Sequence, residues 1–171
     1  MPRLFKPNLR LHRVEQLDVA MLERLGIKSL LLDVDCTLKS YRDQIPPKEI
    51  TAWIESLRRQ DIGLCLVSNG RGRRIATVAR HLDLPFVAAA LKPLPRGCRE
   101  ALSRMGFDRR HTAMVGDQVF ADIMAGNLAG LLTILIDPIH PEQEPWYTRS
   151  KRPLEQLFVR RVAHEPPESN G

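Results

Sequence analysis

Paired cysteines, long apolar runs and clustered cysteine–histidine spacings are all missing from this 171-residue chain. Its three cysteines, Cys36, Cys65 and Cys98, are scattered and odd in number, with no CxxC among them. That argues against a disulfide framework or a zinc ribbon and fits a reducing compartment. The longest apolar stretches, "FVAAAL" and "LAGLLTILI", fall well short of the ~20 residues that span a bilayer. The opening "MPRLFKPNLRLHRV" lacks the apolar segment of a secretory signal. The expected location is therefore cytoplasmic, or peripheral to a membrane. No internal repeat and no second domain are visible.

Hydrophobic residues make up 43% of the chain and charged residues 27%, the balance of an ordinary soluble domain. The net charge is +6 and the pI near 9.6, which favours anionic partners or simply keeps the protein in solution. Nucleic acid, an acidic membrane surface and phosphorylated small molecules all meet that electrostatic condition.

Short apolar runs alternate with helical patterns. "SLLLDVD" (29–35), "IGLCLVSN" (62–69), "FVAAA" (86–90), "TAMVGD" (112–117) and "LLTILID" (131–137) read as strands of a buried parallel sheet. Between them, "PPKEITAWIESLRRQ" (46–60) sets Ile50, Trp53, Ile54 and Leu57 at helical spacing, with Pro47 suited to a first turn. "RRIATVARHL" (73–82), "PRGCREALSRMG" (95–106) and "ADIMAGNLAG" (121–130) are also helical, the last two closed by glycine. The pattern predicts an α/β fold with a five-stranded, mainly parallel sheet over residues 29–137. Residues 1–28 form an N-terminal extension and 138–163 a C-terminal one, expected to pack on the core or on a membrane. Residues 164–171 read as a disordered tail.

In open parallel sheets ligands bind beyond the carboxyl ends of the strands. Asp33, Asp35, Ser68, Asn69, Lys92 and Asp117 all fall at or just after such ends. Asp33 and Asp35 point to the same side, roughly 7 Å apart by strand rise. Two buried carboxylates that close repel unless a cation lies between them, and a hard divalent ion such as Mg²⁺ resolves the conflict. A turn cap would explain one aspartate, but not a matching acidic site on another strand. That second site is Asp117, with Asp122 five residues on, although Asp122 alone would suit a helix N-cap equally well. Ser68, Asn69 and Gly70 suit a phosphate at a helix N-terminus, and equally an ordinary cap. Lys92 alone would more often be solvated.

Taken in order, these residues resemble the haloacid dehalogenase-like (HAD) superfamily of phosphatases. "DVDCT" matches its first motif, "VSN" its second, "LKP" its third-motif lysine and "GDQVFAD" its fourth. The chain is similar in more detail to the YqeG family of class IIIA HAD phosphatases, through "KPLPRG", "MVGDQVFADIMAGNLAGLLTILI" and "WYTRSKRPLE". Cys36 departs from it, since the family typically has Asn at that position. The resemblance implies a three-layer Rossmann-like fold without a cap domain and a Mg²⁺-dependent phosphatase. It casts Asp33 as nucleophile, Asp35 as acid and base, and Ser68 and Lys92 as phosphoryl stabilisers. The metal would be held by Asp33, the Asp35 carbonyl and Asp117, steadied by Asp122, with Cys36, Thr37, Asn69 and Arg71 on the phosphate or substrate.

Only 33 positions separate Asp35 from Ser68, and 24 separate Ser68 from Lys92, leaving no room for a lid domain at either place. An open site favours a large or surface-bound substrate. The resemblance implies a lipid head group, phosphatidylglycerophosphate, while a soluble phosphate ester, a nucleotide, a phosphoprotein or a non-catalytic anion-binding role stay open. A nucleic-acid partner is not expected. "RGRR" (71–74), "MPRLFKPNLRLHR" and "RSKRPLEQLFVRR" are the basic stretches that would meet an anionic substrate or membrane, the last two more readily explained by packing on the core.

Overall fold

Alternate residues of the central strand belong to different cores. Leu30 and Leu32 join Ile50, Ile54, Leu57, Ile75 and Val78 on one face, while Leu31 joins Cys65, Val67, Cys98, Ala101 and Ala125 on the other. This period of two, with both faces apolar, is what a strand between two helical layers requires. The computed structural model describes residues 3–159 and 162. Its strands are β1 (Leu9–Leu11), β2 (Ser29–Leu32), β3 (Gly63–Val67), β4 (Phe86–Val87), β5 (Thr112–Gly116) and β6 (Leu132–Ile136). They lie in the order β1-β6-β5-β2-β3-β4, every pair parallel.

The sheet thus has six strands rather than the five expected. The extra one is "LRL" of the N-terminal extension, which pairs with β6 (Leu9 opposite Ile134) and extends the edge of the sheet. Three residues are too few for a periodic signal, and the pairing partner lies some 125 positions away. Expected strand 86–90 is shorter than its sequence suggested. Ala89 (φ +48°) and Leu91 (φ +57°) adopt left-handed backbone that breaks the ladder and turns the chain toward Lys92.

The helices are α1 (Val19–Arg24), α2 (Lys48–Arg58), α3 (Gly72–Leu82), α4 (Arg96–Met105), α5 (Met124–Ala129), α6 (Trp146–Arg149) and α7 (Arg152–Val159), with a π-helical turn at Val119–Ile123. In α2 the buried residues are the four that the spacing picked out, although Pro47 stands at the N-cap with extended backbone rather than inside the first turn. Helix α4 closes on Gly106 in the left-handed conformation (φ +66°).

Both chain extensions are tied to the core. Asn127 Nδ2 donates to the carbonyls of Arg3, Leu4 and Lys6 at 3.1, 2.9 and 3.2 Å, and its Oδ1 accepts from Thr133 Oγ1. Phe5, Phe120 and Phe158 pack with ring centroids 5.1 to 5.5 Å apart, joining the N-terminal segment, the π-turn and α7. Phe5 and Leu11 of "MPRLFKPNLRLHR" are therefore spent on packing. The tail expected at 164–171 lies outside the described residues, as do Arg160 and Arg161. Among the described residues no helix is long and apolar enough to cross a membrane.

Replacing Asn127 by Ala removes the donor shared by three carbonyls. The expected cost is about 1–3 kcal/mol in chemical denaturation, with the N-terminal amides losing hydrogen-exchange protection first.

Candidate active site

From the central β2 the chain moves outward to β3 and β4, then crosses back to β5 and β6. Loops leaving β2 and β5 therefore diverge, and the crevice between them is the switch point where such sheets bind ligands. Asp33 directly follows β2, Ser68 follows β3 and Asp117 follows β5. The ladder continues one residue past β2, with Asp33 N donating to Val115 O at 2.9 Å, so the backbone of this carboxylate is fixed.

Lys92 ties the rim together. Its buried Nζ donates to Asp33 Oδ1 (2.5 Å), Asp122 Oδ1 (2.6 Å) and the Val67 carbonyl (2.9 Å). Thr37 Oγ1 bridges Asp117 Oδ1 (3.1 Å) and Asp33 Oδ2 (3.4 Å) from below. Asp122 is not a helix N-cap: it sits in the π-turn, its Oδ2 accepting from Gln118 N at 3.0 Å. It lies so close to Gly116 that a Cβ there would overlap its carboxyl group. Glycine before Asp117 is thus required by the approach of Asp122.

The expected substrate-side residues separate into those that reach the cavity and those that do not. A cavity of about 280 Å³ is lined by Asp33, Asp35, Ser68, Asn69, Lys92 and Asp122, with Arg74, Tyr147 and Lys151 among its other walls. Ser68 Oγ accepts from Gly70 N at 3.1 Å, which leaves its own proton for a ligand. Asn69 spends its side chain on the backbone of Lys92, donating to its carbonyl (2.9 Å) and accepting from its N–H (2.8 Å). Arg71 is exposed at the N-cap of α3 and does not line the cavity; Arg74, one turn further on, does. Cys36 and Thr37 lie beneath the floor. The Cys36 amide donates to Lys39 O (2.7 Å), and its backbone is left-handed (φ +64°). Asparagine tolerates that conformation better than most residues, a physical reason for the family's preference at this position.

Several charged residues escaped sequence reasoning. Asp35 Oδ1 accepts from buried Lys39 Nζ (2.7 Å) and from Arg74 (2.8 Å). Arg74 also donates to Tyr41 O (2.5 Å) and stacks over the Tyr41 ring at 4.6 Å. At the head of α7, Arg152 binds the Asp117 carboxylate and its carbonyl (2.6 Å to the latter), and the buried Glu144 carboxylate as well. Arg152 had been visible only as one more cation in a basic stretch.

Burial pushes the Asp33 carboxyl up from its ordinary range, aided by Asp122 and Asp117 and opposed by Lys92. Asp117 is pushed up to about 7, again chiefly by burial, with Arg152 pulling the other way. Burial alone would lower Lys92; Asp122 and Asp33 reverse that and hold it charged above the usual lysine range. A surplus of buried negative charge therefore remains after the lysine is counted. Asp33, Asp117 and Asp122 each present an oxygen within 4.8 Å of the others, a hard donor set that fits a divalent cation such as Mg²⁺. A second cluster, Cys36, Asp117 and Glu144, fits one poorly, because a hard cation prefers oxygen donors and burial pushes the Cys36 thiol up, keeping it protonated.

Comparison with known proteins agrees with this geometry. A family model described as a haloacid dehalogenase-like hydrolase matches residues 6–130. The chain is 25% identical over 159 residues to the probable phosphatase YqeG of Bacillus subtilis, covering 93% of this chain and 92% of that protein. It is 28% identical over 170 residues to the chloroplastic phosphatidylglycerophosphate phosphatase 1 of Chlamydomonas reinhardtii, covering 94% of this chain and 61% of that protein. Among solved structures, the cobalt-bound deoxy-D-mannose-octulosonate 8-phosphate phosphatase of Haemophilus influenzae aligns with a TM-score of 0.55 over 80% of this chain and 89% of that one. At 16% identity that likeness is one of fold.

The raised carboxyls predict an unusual pH dependence. An unfolded Asp titrates near ~3.9, so a folded value of about 7 means that the folded state holds the proton more tightly. Its contribution favours folding at low pH and is lost as pH rises through about 7. Metal-free protein is expected to melt at a lower temperature at about pH 8 than at about pH 6, and added Mg²⁺ to remove most of the difference. A thermal-shift series with no such slope would contradict the charge surplus.

Proposed function

This chain belongs to the haloacid dehalogenase-like hydrolases and is a phosphoric monoester hydrolase; from that premise we propose that it works through an aspartyl-phosphate and that its substrate is phosphatidylglycerophosphate. The observation that carries the reading is the convergence of Asp33, Asp35, Ser68 and Lys92 on one open cavity.

Asp33 attacks phosphorus, and the bond from phosphorus to the ester oxygen breaks. Lys92 and Thr37 hold the attacking carboxylate in place. Asp35 gives a proton to the leaving oxygen. Both cations on Asp35 bind the same oxygen, Oδ1, so Oδ2 is the atom that carries this proton. In the second half Asp35 takes a proton from water, whose oxygen attacks the phosphoryl group. The bond to Asp33 breaks, and inorganic phosphate and the free carboxylate are restored. Ser68 and Lys92 neutralise the phosphoryl oxygens as charge shifts among them. Asp33, Asp117 and the Asp35 carbonyl would hold Mg²⁺, steadied by Asp122, and that ion supplies positive charge against the same oxygens.

The lipid assignment is supported by two features. Similarity to the algal phosphatidylglycerophosphate phosphatase runs over 94% of this chain. The segments from Asp35 to Ser68 and from Ser68 to Lys92 each hold one helix and one strand, with no lid domain inserted in either. A head group presented at a surface can reach such a site without leaving its bilayer.

Asp33→Asn is expected to abolish Mg²⁺-dependent hydrolysis of an aryl phosphate while the circular dichroism spectrum is kept, since Asp122 still pairs with Lys92. Normal turnover in that variant would refute the nucleophile. For the substrate, turnover of phosphatidylglycerophosphate in detergent micelles is expected to exceed that of a panel of soluble phosphate esters. Equal or faster turnover on the soluble panel refutes the lipid reading.

A further inference from the structure

Among the described residues nine large hydrophobic side chains are exposed, and six of them belong to the two segments that bear cavity-lining residues: Leu91, Leu94, Trp146, Tyr147, Leu154 and Leu157, of which Tyr147 lines the cavity itself. Leu91 and Leu94 bracket Lys92 and Pro93, which line the cavity on one side. Leu91 is held in left-handed backbone (φ +57°), a conformation unfavourable for leucine, with its side chain still in water. The other four lie between Pro145 and Val159, a stretch whose Tyr147, Thr148 and Lys151 also line the cavity.

That stretch has the composition of an interfacial segment. Its only carboxylate, Glu155, is buried, whereas Arg149 and Lys151 are exposed. In α7 the residues turned inward are Arg152, Glu155 and Val159; Leu154 and Leu157 fall on the opposite face. The pair Arg152–Asp117 fixes the segment to the floor of the site, so its exposed face is held in register with the cavity mouth. Arg74, Arg73 and Arg42 add positive charge beside the mouth, alongside Asp43. Within 145–159, exposed aromatic and leucine side chains interleaved with cations, and with no exposed anion among them, match the boundary layer of an anionic bilayer.

We propose that the outward face of residues 145–159 docks the open cavity onto an anionic bilayer, with Trp146, Leu154 and Leu157 entering the headgroup boundary and Arg149 and Lys151 on lipid phosphates. The inference deepens the lipid reading above and rests on it for the purpose of docking. It differs from the sequence expectation, in which the N-terminal stretch was also a membrane candidate. Phe5 and Leu11 are instead committed to the fold.

The chain carries its own reporter. Of its two tryptophans, Trp53 is 7% exposed and hydrogen-bonded to Leu17 O, whereas Trp146 is 79% exposed. Full-length protein is mixed with vesicles of phosphatidylcholine alone, or of phosphatidylcholine with phosphatidylglycerol. Co-sedimentation and a blue shift of tryptophan emission are expected with the anionic vesicles only, both weakening with added salt. A Trp146→Ala/Leu157→Ala variant is expected to bind about tenfold more weakly or worse while hydrolysing a soluble aryl phosphate as before. Absent binding, equal binding to phosphatidylcholine alone, or unchanged binding by the variant each overturns the proposal. So does a stable dimer in light scattering that shields Trp146 without vesicles, which assigns the face to a second copy. Micellar substrate separates the two readings. Hydrolysis of phosphatidylglycerophosphate in micelles without vesicle binding refutes the surface alone; vesicle binding without that hydrolysis refutes the substrate alone.

Discussion

One buried ammonium group organises the rim of this sheet. Lys92 reaches from the turn after β4 to Asp33 after β2, to the Val67 carbonyl at the end of β3 and to Asp122 in the π-turn after β5. Four segments of chain therefore meet at a single nitrogen. A buried pair contributes little net stability against an apolar alternative, but removing one partner costs about 3–5 kcal/mol. The interaction thus acts less as a source of stability than as a constraint. Loops that fail to bring their carboxylates to this nitrogen leave a charge stranded in a dry site. The surrounding devices serve the same end: Asn69 clamps the Lys92 backbone from both sides, and Gly116 makes room for Asp122.

How much of this was legible depended on whether the signal was local. The parallel strands were readable because burial on both faces leaves an apolar run in the sequence. Asp33, Ser68 and Asp117 were readable because each interrupts such a run at its end. Strand β1 was not, since three residues carry no period and its partner β6 is remote. Lys92 became recognisable only through its family motif; nothing in "LKP" alone distinguishes a buried lysine from a solvated one. Arg71 and Arg74 show a finer limit. Both sit in "RGRR", but Arg71 has extended backbone ahead of the first turn while Arg74 lies inside the helix, facing Asp35.

Lys39, Glu144 and Arg152 were missed for a common reason: their meaning lies in partners the sequence cannot display. Lys39 is wholly buried, yet it stands in "LKSYRD", which reads as a surface turn. Arg152 sits in a basic stretch, and its partner Asp117 is 35 positions away. Charge patterning identifies faces, not pairings, so a buried cation in a basic segment is hidden among its exposed neighbours. The C-terminal segment, expected as an accessory, turns out to complete the floor of the site.

Electrostatic balance connects that floor to the open mouth. Asp33, Asp117, Asp122, Glu144 and Glu155 gather around two cations, Lys92 and Arg152. An interior this acidic would repel a phosphate, so in the mechanism proposed above the substrate's charge would be met by a divalent ion below, in the donor set of Asp33, Asp117 and Asp122, and by cations above. Arg74 and Lys151 at the wall are the upper set. The polarity of the cavity is thus layered: carboxylates outnumber Lys92 and Arg152 at depth, while Arg74 and Lys151 lie nearer solvent, in a protein whose net charge is +6. Such layering would draw an anionic group inward to the depth at which a bound divalent ion would take over its compensation, and no further. Lys151 lines the cavity and exposed Arg149 stands two residues before it, so the cations of this short stretch lie beside the entrance. An anionic bilayer attracted by those charges would therefore present its head groups to the cavity rather than to the back of the sheet.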